Sequence, residues 1–282
     1  MAANSQAFTV AYLGPPGTFG EEAALLAVQD AVQLPCPSHT SVAAKVDAGE
    51  ADIGILAIEN LITGSVAETL DILVDETSLS IQKEILLRIE HNLIAKTRLE
   101  LSEIELVYSH PQALAQCRHF LEENGLSAFI EPALSTTHAV ELVMNSQLKA
   151  GAIANYRAAT RYGGEVLASS IQDTSNNVTR FIVLGDKETS PSGDDRTSIA
   201  LWFDADRPGL LTAVLTEFSS RGINCMKLES RPTRANLGEY VFLIDFEGHI
   251  QEERCSKALT EISKLASRIK IFGSYPKGTL GD

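Results

Sequence analysis

The sequence has no apolar run that approaches the roughly 18 residues needed for a membrane-spanning helix. Its first residues, MAANSQAFTVAYLG, contain no basic segment followed by a long apolar one, so we expect no signal peptide and a cytoplasmic protein. With 44% hydrophobic and 21% charged residues, the 282-residue chain has the composition of a globular protein with a sizeable core. Its length suggests about two domains.

Basic residues are scarce: 23 Lys and Arg stand against 37 Asp and Glu, for a formal net charge of −14. This balance disfavours nucleic acid as a partner, because phosphate binding needs a basic surface. A small anionic ligand is compatible with it only where an arginine or the N-termini of helices supply local positive potential.

Cysteine and histidine show no pattern typical of a metal site. The four cysteines (Cys36, Cys117, Cys225 and Cys255) are scattered, and the six histidines form no helical metal-binding pair. The segment GPPGTFG lacks the lysine of a phosphate loop, and no dinucleotide fingerprint or Ser-His-Asp set is present. We therefore expect no metal and no nucleotide cofactor.

A polar stretch divides the chain. GDKETSPSGDDRTS, residues 185–198, has no apolar periodicity and is typical of a linker. Before it, short apolar runs alternate with helical patterns, which predicts an α/β fold around mostly parallel sheet, as one sheet or as two lobes. One apolar run, LSIQKEILLRIEHNLIA, predicts an unusually long strand.

After the polar stretch the predicted order is β-α-β-β-α-β within about 80 residues, the ferredoxin-like arrangement. The helix PGLLTAVLTEFSSRG has Pro at its start and Gly at its end, and the two central strands are joined by a turn around ANLG.

Three helices of the first part begin with capping residues directly after a predicted strand: Thr18, the pair Ser109 and His110, and Ser135. In an α/β sheet these turns lie at the carboxyl ends of strands, where free backbone N–H groups attract anions. Each residue alone is also an ordinary helix cap. Together they predict an anion-binding cleft.

Polar residues at strand ends add further candidates. Glu59 and Asn60 end the strand DIGILAIEN. At this position Glu59 can act as an acid or base and Asn60 can orient a ligand, or Glu59 is simply exposed to solvent and Asn60 starts a turn. Gln116 lies seven residues after Ser109, and residues seven apart on a helix lie on the same face, so both can point at one ligand. Gln116 can equally be an ordinary solvent-exposed helix residue.

The stretch DTSNNVTRF leads directly into the apolar strand IVLG. Thr179 and Phe181 should share one face of this strand, with Arg180 on the other. Arg180 can pair with a ligand carboxylate or with an internal glutamate. Thr179 can donate to a leaving oxygen in a pre-organised site poor in water, or the stretch only caps the strand.

The order of nine short segments along the chain is characteristic of one protein family. In the first part they are AYLGPPGTF, AIENLITGSV, SHPQALAQC, STTHAV, GAIA and DTSNNVTRF, and in the second part RPGLL, GIN and LESRP. In this order the chain resembles prephenate dehydratase joined to a C-terminal ACT regulatory domain, from about residue 7 to residue 275. The resemblance implies a lyase that converts prephenate to phenylpyruvate, with loss of water and carbon dioxide and without a cofactor.

The resemblance also implies a domain plan. A two-lobed α/β catalytic domain of the periplasmic-binding-protein type spans 7–185, with lobe A at about 7–84 and 166–185 and lobe B at about 85–165. A linker follows at 186–196, and a βαββαβ ferredoxin-like ACT domain at 197–277.

The implied site residues fall into three sets. The catalytic set is Glu59, Asn60, Ser109, Gln116, Thr179, Arg180 and Phe181. The substrate-binding set, which also follows from the helix starts, is Thr18, His110, Ser135 and Thr136. The effector-binding set is Gly209, Leu210, Leu211, Asn224, Glu229, Ser230, Arg231 and Pro232.

The ACT resemblance implies feedback by phenylalanine at a site between paired ACT domains, and hence a homo-oligomer, a dimer or a dimer of dimers. Neither nucleic acid nor a membrane is expected as a partner. The chain departs from the family at two places: Leu61 replaces a usual serine, and Leu210 replaces a usual alanine and so alters the shape of the effector pocket.

Two alternative functions remain at this level. An arogenate dehydratase shares the same motifs, since its substrate differs only by an amine in place of a keto group. A non-catalytic amino-acid sensor or solute-binding protein shares the fold. The expected lack of a signal peptide argues against an exported binding protein, and the intact TRF motif argues against an inactive enzyme.

Overall fold

A computed structural model describes residues 7–204, 207–233 and 239–280. They form three β-sheets, two before the polar linker and one after it. Within these ranges, none of the helices has both the length and the apolar character needed to cross a bilayer.

The first part of the chain holds eleven strands and seven α-helices, together with a π-helical turn at Ile72–Glu76. In chain order they are β1 (Thr9–Leu13), α1 (Phe19–Ala27), β2 (Val32–Cys36), α2 (His39–Asp47), β3 (Ile53–Asn60), β4 (Gly64–Ser65), α3 (Ala67–Asp71), β5 (Ser80–Arg88), β6 (Asn92–Ala95), β7 (Leu106–Ser109), α4 (Pro111–Gln116), α5 (Arg118–Glu123), β8 (Ile130–Pro132), α6 (Thr136–Asn145), β9 (Ala150–Ala154), α7 (Tyr156–Tyr162), β10 (Glu165–Ala168) and β11 (Val178–Gly185).

Lobe A is built on a sheet of order β2-β1-β3-β11-β5, with the short β4 paired to β3. Strands β1, β2 and β3 are parallel, whereas β11 runs antiparallel between β3 and β5. The chain therefore leaves lobe A after β5 and returns to its centre through β11. This return places the DTSNNVTRF stretch beside the end of β3.

Lobe B is built on a second sheet of order β10-β6-β9-β7-β8. Strand β7 is parallel to β8 and β9, and β6 is antiparallel to β9 and β10. Two separate sheets mean two lobes, so the first part is not a single sheet. This is the predicted periplasmic-binding-protein-like architecture, and the fold prediction is confirmed.

The crossings between the lobes differ from the predicted positions. The apolar run at 79–95 forms two strands, because β5 ends at Arg88 and β6 begins at Asn92 in the other sheet. Strand β10 pairs with β6, so residues up to 168 belong to lobe B and the predicted return at 166 is too early. Hydrophobicity alone does not reveal a break where apolar residues continue from one core into the next.

Four of these elements were not predicted, and one predicted helix is divided. The unpredicted elements are β2, β4, α7 and β10. For α7 the sequence carries usable signals, because Asn155 caps the helix and the left-handed Gly163 ends it. The helix predicted to begin at Ser109 and His110 breaks at Cys117 into α4 and α5.

The C-terminal part forms the predicted β-α-β-β-α-β order. Its elements are β12 (Asp195–Trp202), α8 (Leu210–Ser219), β13 (Cys225–Pro232), β14 (Tyr240–Glu247), α9 (Glu253–Ile262) and β15 (Arg268–Pro276). The sheet order is β13-β14-β12-β15, all antiparallel. Strand β12 begins at Asp195, inside the predicted linker, and the predicted ANLG turn lies outside the described residues.

The C-terminal sheet shares a hydrophobic core with lobe A. Leu56 and Ile182 of lobe A belong to the same buried cluster as Val241, Leu243 and Phe272 of the C-terminal domain. The two domains therefore pack through an apolar interface, which fixes the C-terminal sheet against the face of the lobe A sheet that points away from lobe B.

A buried group of charges lies in this interface, centred on Arg180. Its guanidinium Nη2 is 2.8 Å from Asp245 Oδ2 and 3.4 Å from Glu59 Oε2, and Nη1 is 3.4 Å from Glu84 Oε2. Arg196 Nη1 is 3.1 Å from the same Glu84 oxygen. Since Arg180, Glu84 and Asp245 are each at most 6% exposed, this is a desolvated charge cluster between two domains.

We expect Arg180→Met to lower the free energy of unfolding by about 3–5 kcal/mol, because Glu84 and Asp245 stay buried without this partner. Urea unfolding followed by circular dichroism measures the change. The matched variant Arg88→Met, on the exposed side of the neighbouring β5, should cost less than about 1 kcal/mol. A loss below about 1 kcal/mol for Arg180→Met would contradict a stabilising role for the cluster.

Candidate active site

A cavity of about 900 Å³ separates the two lobes. Its walls come from the ends of β3 and β11 in lobe A, from the crossing residue His91, and from the starts of helices in both lobes. A cleft of this size and position is typical of a small-molecule site.

The three helix starts singled out in the sequence converge on this cavity. Thr18 caps α1, His110 caps α4 and Ser135 caps α6, and all three line the cavity together with Thr136. Helices α1 and α6 have 9 and 10 residues, so their N-terminal N–H groups carry an appreciable partial positive charge. The cavity is thus suited to a ligand with carboxylates.

Thr179 and Asn60 form the polar centre of the lobe A wall. The Asn60 side-chain nitrogen Nδ2 donates to Thr179 Oγ1 at 2.9 Å. The Asn60 oxygen accepts from the backbone N–H groups of Ile62 and Thr63, both at 3.0 Å, which fixes the orientation of the amide. Because Thr179 Oγ1 accepts from Asn60, its own proton can be donated into the cavity.

Side-chain amides extend this centre to lobe B. Asn60 Nδ2 also donates to Asn177 Oδ1 at 2.8 Å, and Asn177 Nδ2 donates to Gln116 Oε1 at 3.1 Å. Gln116, on α4, lines the cavity, and its Nε2 has no hydrogen-bond partner among the described residues. An unpaired buried donor that lines a cavity is a candidate for contact with a bound ligand.

His91 completes the chain of contacts. Its Nε2 lies 2.9 Å from the Gln116 oxygen, so Nε2 carries the proton, and its ring packs edge-on against Phe19. Burial lowers the pKa of the His91 imidazole, and the Gln116 contact only partly opposes this effect. His91 is therefore neutral near pH 7 and acts as a fixed hydrogen-bond donor.

Asn177 and His91 were not predicted as site residues. Asn177 lies two residues before Thr179, so period-two alternation was a usable signal. His91 lies at the crossing between the lobes, where no motif marks it.

The structure places Phe181 and Asn60 at the cavity but not Ser109, Glu59 or Arg180. Ser109 is fully buried, and its hydroxyl donates to the Ile153 carbonyl oxygen at 2.6 Å inside the lobe B sheet. The prediction that Ser109 and Gln116 present one common face to the ligand is therefore wrong, because Ser109 still belongs to β7 and not to the helix.

Arg180 and Glu59 lie on the other side of the lobe A sheet. Alternation along β11 sends Arg180 away from Thr179, toward the C-terminal domain. Of the two alternatives left open for this arginine, a ligand carboxylate or an internal glutamate, the structure shows the internal one, Glu84, together with Asp245. Glu59 pairs with Arg180 and with Lys227, both at 3.4 Å. Neither residue is placed to touch a ligand in the cavity.

Leu61, which replaces the family's usual serine, is 63% exposed and does not line the cavity. A direct polar contact with a ligand is therefore not available at this position.

The effector candidates lie on two elements of the C-terminal domain. Gly209 caps α8 with a left-handed φ of 93°, and Leu210 and Leu211 begin that helix. The Asn224 carbonyl accepts from the Glu247 N–H at 2.9 Å.

On strand β13, Glu229 and Arg231 of the expected effector set face the catalytic domain of the same chain. Glu229 Oε2 accepts from the Ser65 hydroxyl at 2.6 Å, and Arg231 Nη2 is 2.7 Å from Asp71 Oδ1. Ser230 and Pro232 are exposed on the opposite face of the strand.

The lining of the cleft contains no arginine or lysine within the ranges that the structure describes. Four histidines line it instead (His39, His91, His110 and His138), with Glu141 the acidic residue among them. Positive potential for an anion therefore comes mainly from the helix N-termini and from neutral donors.

A second cavity, of about 910 Å³, lies between α1, α7 and β5. Its basic side chains are already engaged. Arg157 Nε is 2.6 Å and Arg161 Nη1 is 3.7 Å from the Glu21 carboxylate, and Arg88 Nη1 donates to the Ser175 carbonyl oxygen at 3.1 Å. Burial works against the charged form of Glu21, but Arg157 and the Gly17 N–H more than offset it and lower the pKa. The interlobe cleft is therefore the better candidate site.

We expect the stability to fall as the pH drops from about 6.5, the ordinary pKa of histidine, because the unfolded chain protonates His91 before the folded one does. The slope from this group is at most about 1.4 kcal/mol per pH unit. Unfolding free energies of the wild type and His91→Gln at pH 7.5 and 5.5 measure it.

The His91→Gln variant should show a smaller loss on acidification than the wild type. Equal pH dependence of the wild type and His91→Gln would rule out a depressed pKa at His91.

Comparison with known proteins identifies the family. Residues 10–189 match the family model of prephenate dehydratase, and residues 205–263 match that of the ACT domain. A bifunctional chorismate mutase/prephenate dehydratase of Aquifex aeolicus is 41% identical over 272 residues, which cover 96% of this chain and 74% of that protein.

Solved structures agree over nearly the whole chain. A prephenate dehydratase from Arthrobacter aurescens in complex with L-Phe superposes with a TM-score of 0.88 at 35% identity, covering 95% of this chain and 90% of that one. GqqA, described as a novel type of quorum quenching acylase, gives 0.87 at 29% identity, covering 95% and 98%. The predicted resemblance is thus confirmed, and the chain belongs to the prephenate dehydratase family, with an ACT domain after its catalytic domain.

Proposed function

We propose that this protein is a prephenate dehydratase that works in the interlobe cleft around Thr179. The reaction breaks the bond between the ring and one carboxylate, whose electron pair enters the ring while the ring hydroxyl leaves. Carbon dioxide, water and phenylpyruvate result. The observation that carries the proposal is the Thr179 hydroxyl, which Asn60 orients so that its proton can reach a leaving oxygen in the cavity.

The chemistry needs mainly orientation and stabilisation of the leaving oxygen, because the new aromatic ring supplies the driving force. The N-termini of α1 and α6 would hold the carboxylates of the substrate, and the free Gln116 amide would bind one of its oxygens. Asn177 and His91 would keep Gln116 in place. Arg180 would take no part in binding, since it is held among the carboxylates of the domain interface.

Phenylalanine is the effector we propose for the ACT domain, and the structure of the Arthrobacter aurescens relative in complex with L-Phe supports this choice. We further propose a cytoplasmic homo-oligomer, a dimer or a dimer of dimers. Strand β13 supports the oligomer, because an edge strand can pair with a strand of a second chain and the outer face of β13 exposes Leu228. Light scattering of the purified chain measures the oligomeric state.

We expect Thr179→Ala to lower kcat by about 10² or more, the scale for loss of one donor to the transition state. Thr179→Ser keeps the hydroxyl and should retain most of the turnover. Circular dichroism and the unfolding midpoint control for folding of both variants. Near-normal turnover of a folded Thr179→Ala variant would remove Thr179 from the mechanism.

The wild-type protein should form phenylpyruvate from prephenate, and phenylalanine should suppress this turnover. Arogenate is assayed in parallel, and faster turnover of arogenate would assign the sister activity at the same site. An acyl-amide substrate serves as a third assay because one similar structure is described as an acylase. No turnover of prephenate or arogenate, together with tight phenylalanine binding, would indicate a sensor and would overturn the proposal.

A further inference from the structure

Strand β13 has two faces with different surroundings. Side chains alternate along a strand, so Lys227, Glu229 and Arg231 point to one side and Leu228 and Ser230 to the other. The first face is partly buried against the catalytic domain of the same chain, whereas Leu228 and Ser230 are exposed. A displacement of this strand from its exposed side would therefore be transmitted to the catalytic domain.

The buried face of β13 contacts the hairpin formed by β3 and β4, residues 59–65. Lys227 Nζ donates to Ser65 Oγ at 2.6 Å, and that hydroxyl donates to Glu229 Oε2 at 2.6 Å. Lys227 Nζ is also 3.4 Å from Glu59 Oε1, and its side chain is only 12% exposed. Four side chains, two from each domain, thus form one hydrogen-bonded group at the base of the hairpin.

The same hairpin holds the polar centre of the cleft. In the register of the hairpin, Glu59 lies opposite Ser65 and Asn60 lies opposite Gly64. Asn60 is therefore the next residue along β3 after the one that contacts β13. The tip of the hairpin fixes the Asn60 amide through the N–H groups of Ile62 and Thr63, and that amide orients Thr179. Ser65 itself lines the cavity.

The tip of the hairpin also reaches lobe B. Gln112 Nε2, from the first turn of α4, donates to Thr63 Oγ1 at 3.3 Å across the mouth of the cleft. The hairpin is therefore in contact with lobe A, lobe B and the ACT domain. A shift at its base would alter both the Asn60–Thr179 contact and the contact between the lobes.

We propose that Lys227 and Glu229 are positioning residues that couple the ACT domain to the reacting centre through Ser65 and the hairpin. The inference rests on the proposed function, because it gives a physical route for the control of that cleft by phenylalanine. Neither residue lines the cleft. They act on Asn60 and Thr179 by setting the position of the hairpin.

The test is the coupling between phenylalanine and the reaction, measured as kcat/KM without phenylalanine divided by kcat/KM at saturating phenylalanine. Couplings of this kind are commonly about 5- to 150-fold. In the Lys227→Met variant we expect the ratio to fall at least about fivefold relative to the wild type or to approach one. Calorimetry should show that the variant still binds phenylalanine, since Lys227 faces away from the exposed side of β13.

Two further variants separate coupling from a general structural defect. Lys227→Arg keeps a cation and donor for Ser65 and should retain most of the coupling. Lys264→Met removes an exposed lysine of the ACT domain that pairs only with Glu261 among the described residues, and it should keep the wild-type ratio. Should Lys227→Met fail to fold, Lys227→Gln, which keeps a donor without the charge, replaces it in the same assay.

A folded Lys227→Met variant that binds phenylalanine and keeps a ratio within about twofold of the wild type would overturn this inference. The proposed function would survive that result, because the wild type would still turn over prephenate under control by phenylalanine. If the wild type shows no turnover, the proposed function fails, and this route of control fails with it. If it turns over prephenate without inhibition by phenylalanine, the proposed reaction stands, whereas the proposed regulation and this route of control both fail.

Discussion

The alternation of side chains along β11 is the constraint on which the rest of the structure depends. This one strand returns from lobe B to the centre of the lobe A sheet, and consecutive residues on it serve opposite faces. Thr179 faces the cleft, where Asn60 holds its hydroxyl, and Arg180 faces the ACT domain, where carboxylates from both domains surround it. The TRF motif therefore combines the proposed hydrogen-bond donor of the reaction with an attachment point between domains.

The interlobe cleft offers hydrogen-bond donors to an anion, although its described lining contains no arginine or lysine and the chain as a whole is acidic. Helix N-termini and oriented amides are fixed by the fold and need no counter-charge, so they provide donors that do not reorganise when charge moves during the reaction. The network from Thr179 to His91 extends this idea, because each amide is held by another donor or acceptor. A change in the relative position of the two lobes would therefore move the donors of this network.

Much of this could be predicted from the sequence, and the failures have definite physical causes. Helix starts at Thr18, His110 and Ser135 were readable because capping chemistry is local, and the ACT order was readable because its elements are short and sharply bounded. The break at 89–91 between β5 and β6 could not be predicted, because the residues on both sides of it are apolar and enter the cores of different lobes. The contacts of Arg180 with Asp245 and of Glu229 with Ser65 were not predictable either, because each joins two domains and a local pattern carries no information on domain packing.

The magnitudes of the two interdomain contacts argue for different roles. Breaking a buried charge group such as that of Arg180 costs about 3–5 kcal/mol, which is too much for a ligand to reverse readily, so this group keeps the domains together. A hydrogen bond such as those of the Ser65 hydroxyl contributes about 0.5–1.5 kcal/mol, which is comparable with the roughly 1–3 kcal/mol that couples an effector to an active site. The hairpin contact can therefore change with the state of the ACT domain while the charge group stays intact. In the proposed coupling, control of the cleft requires only a small displacement of β13 while the two domains stay packed together.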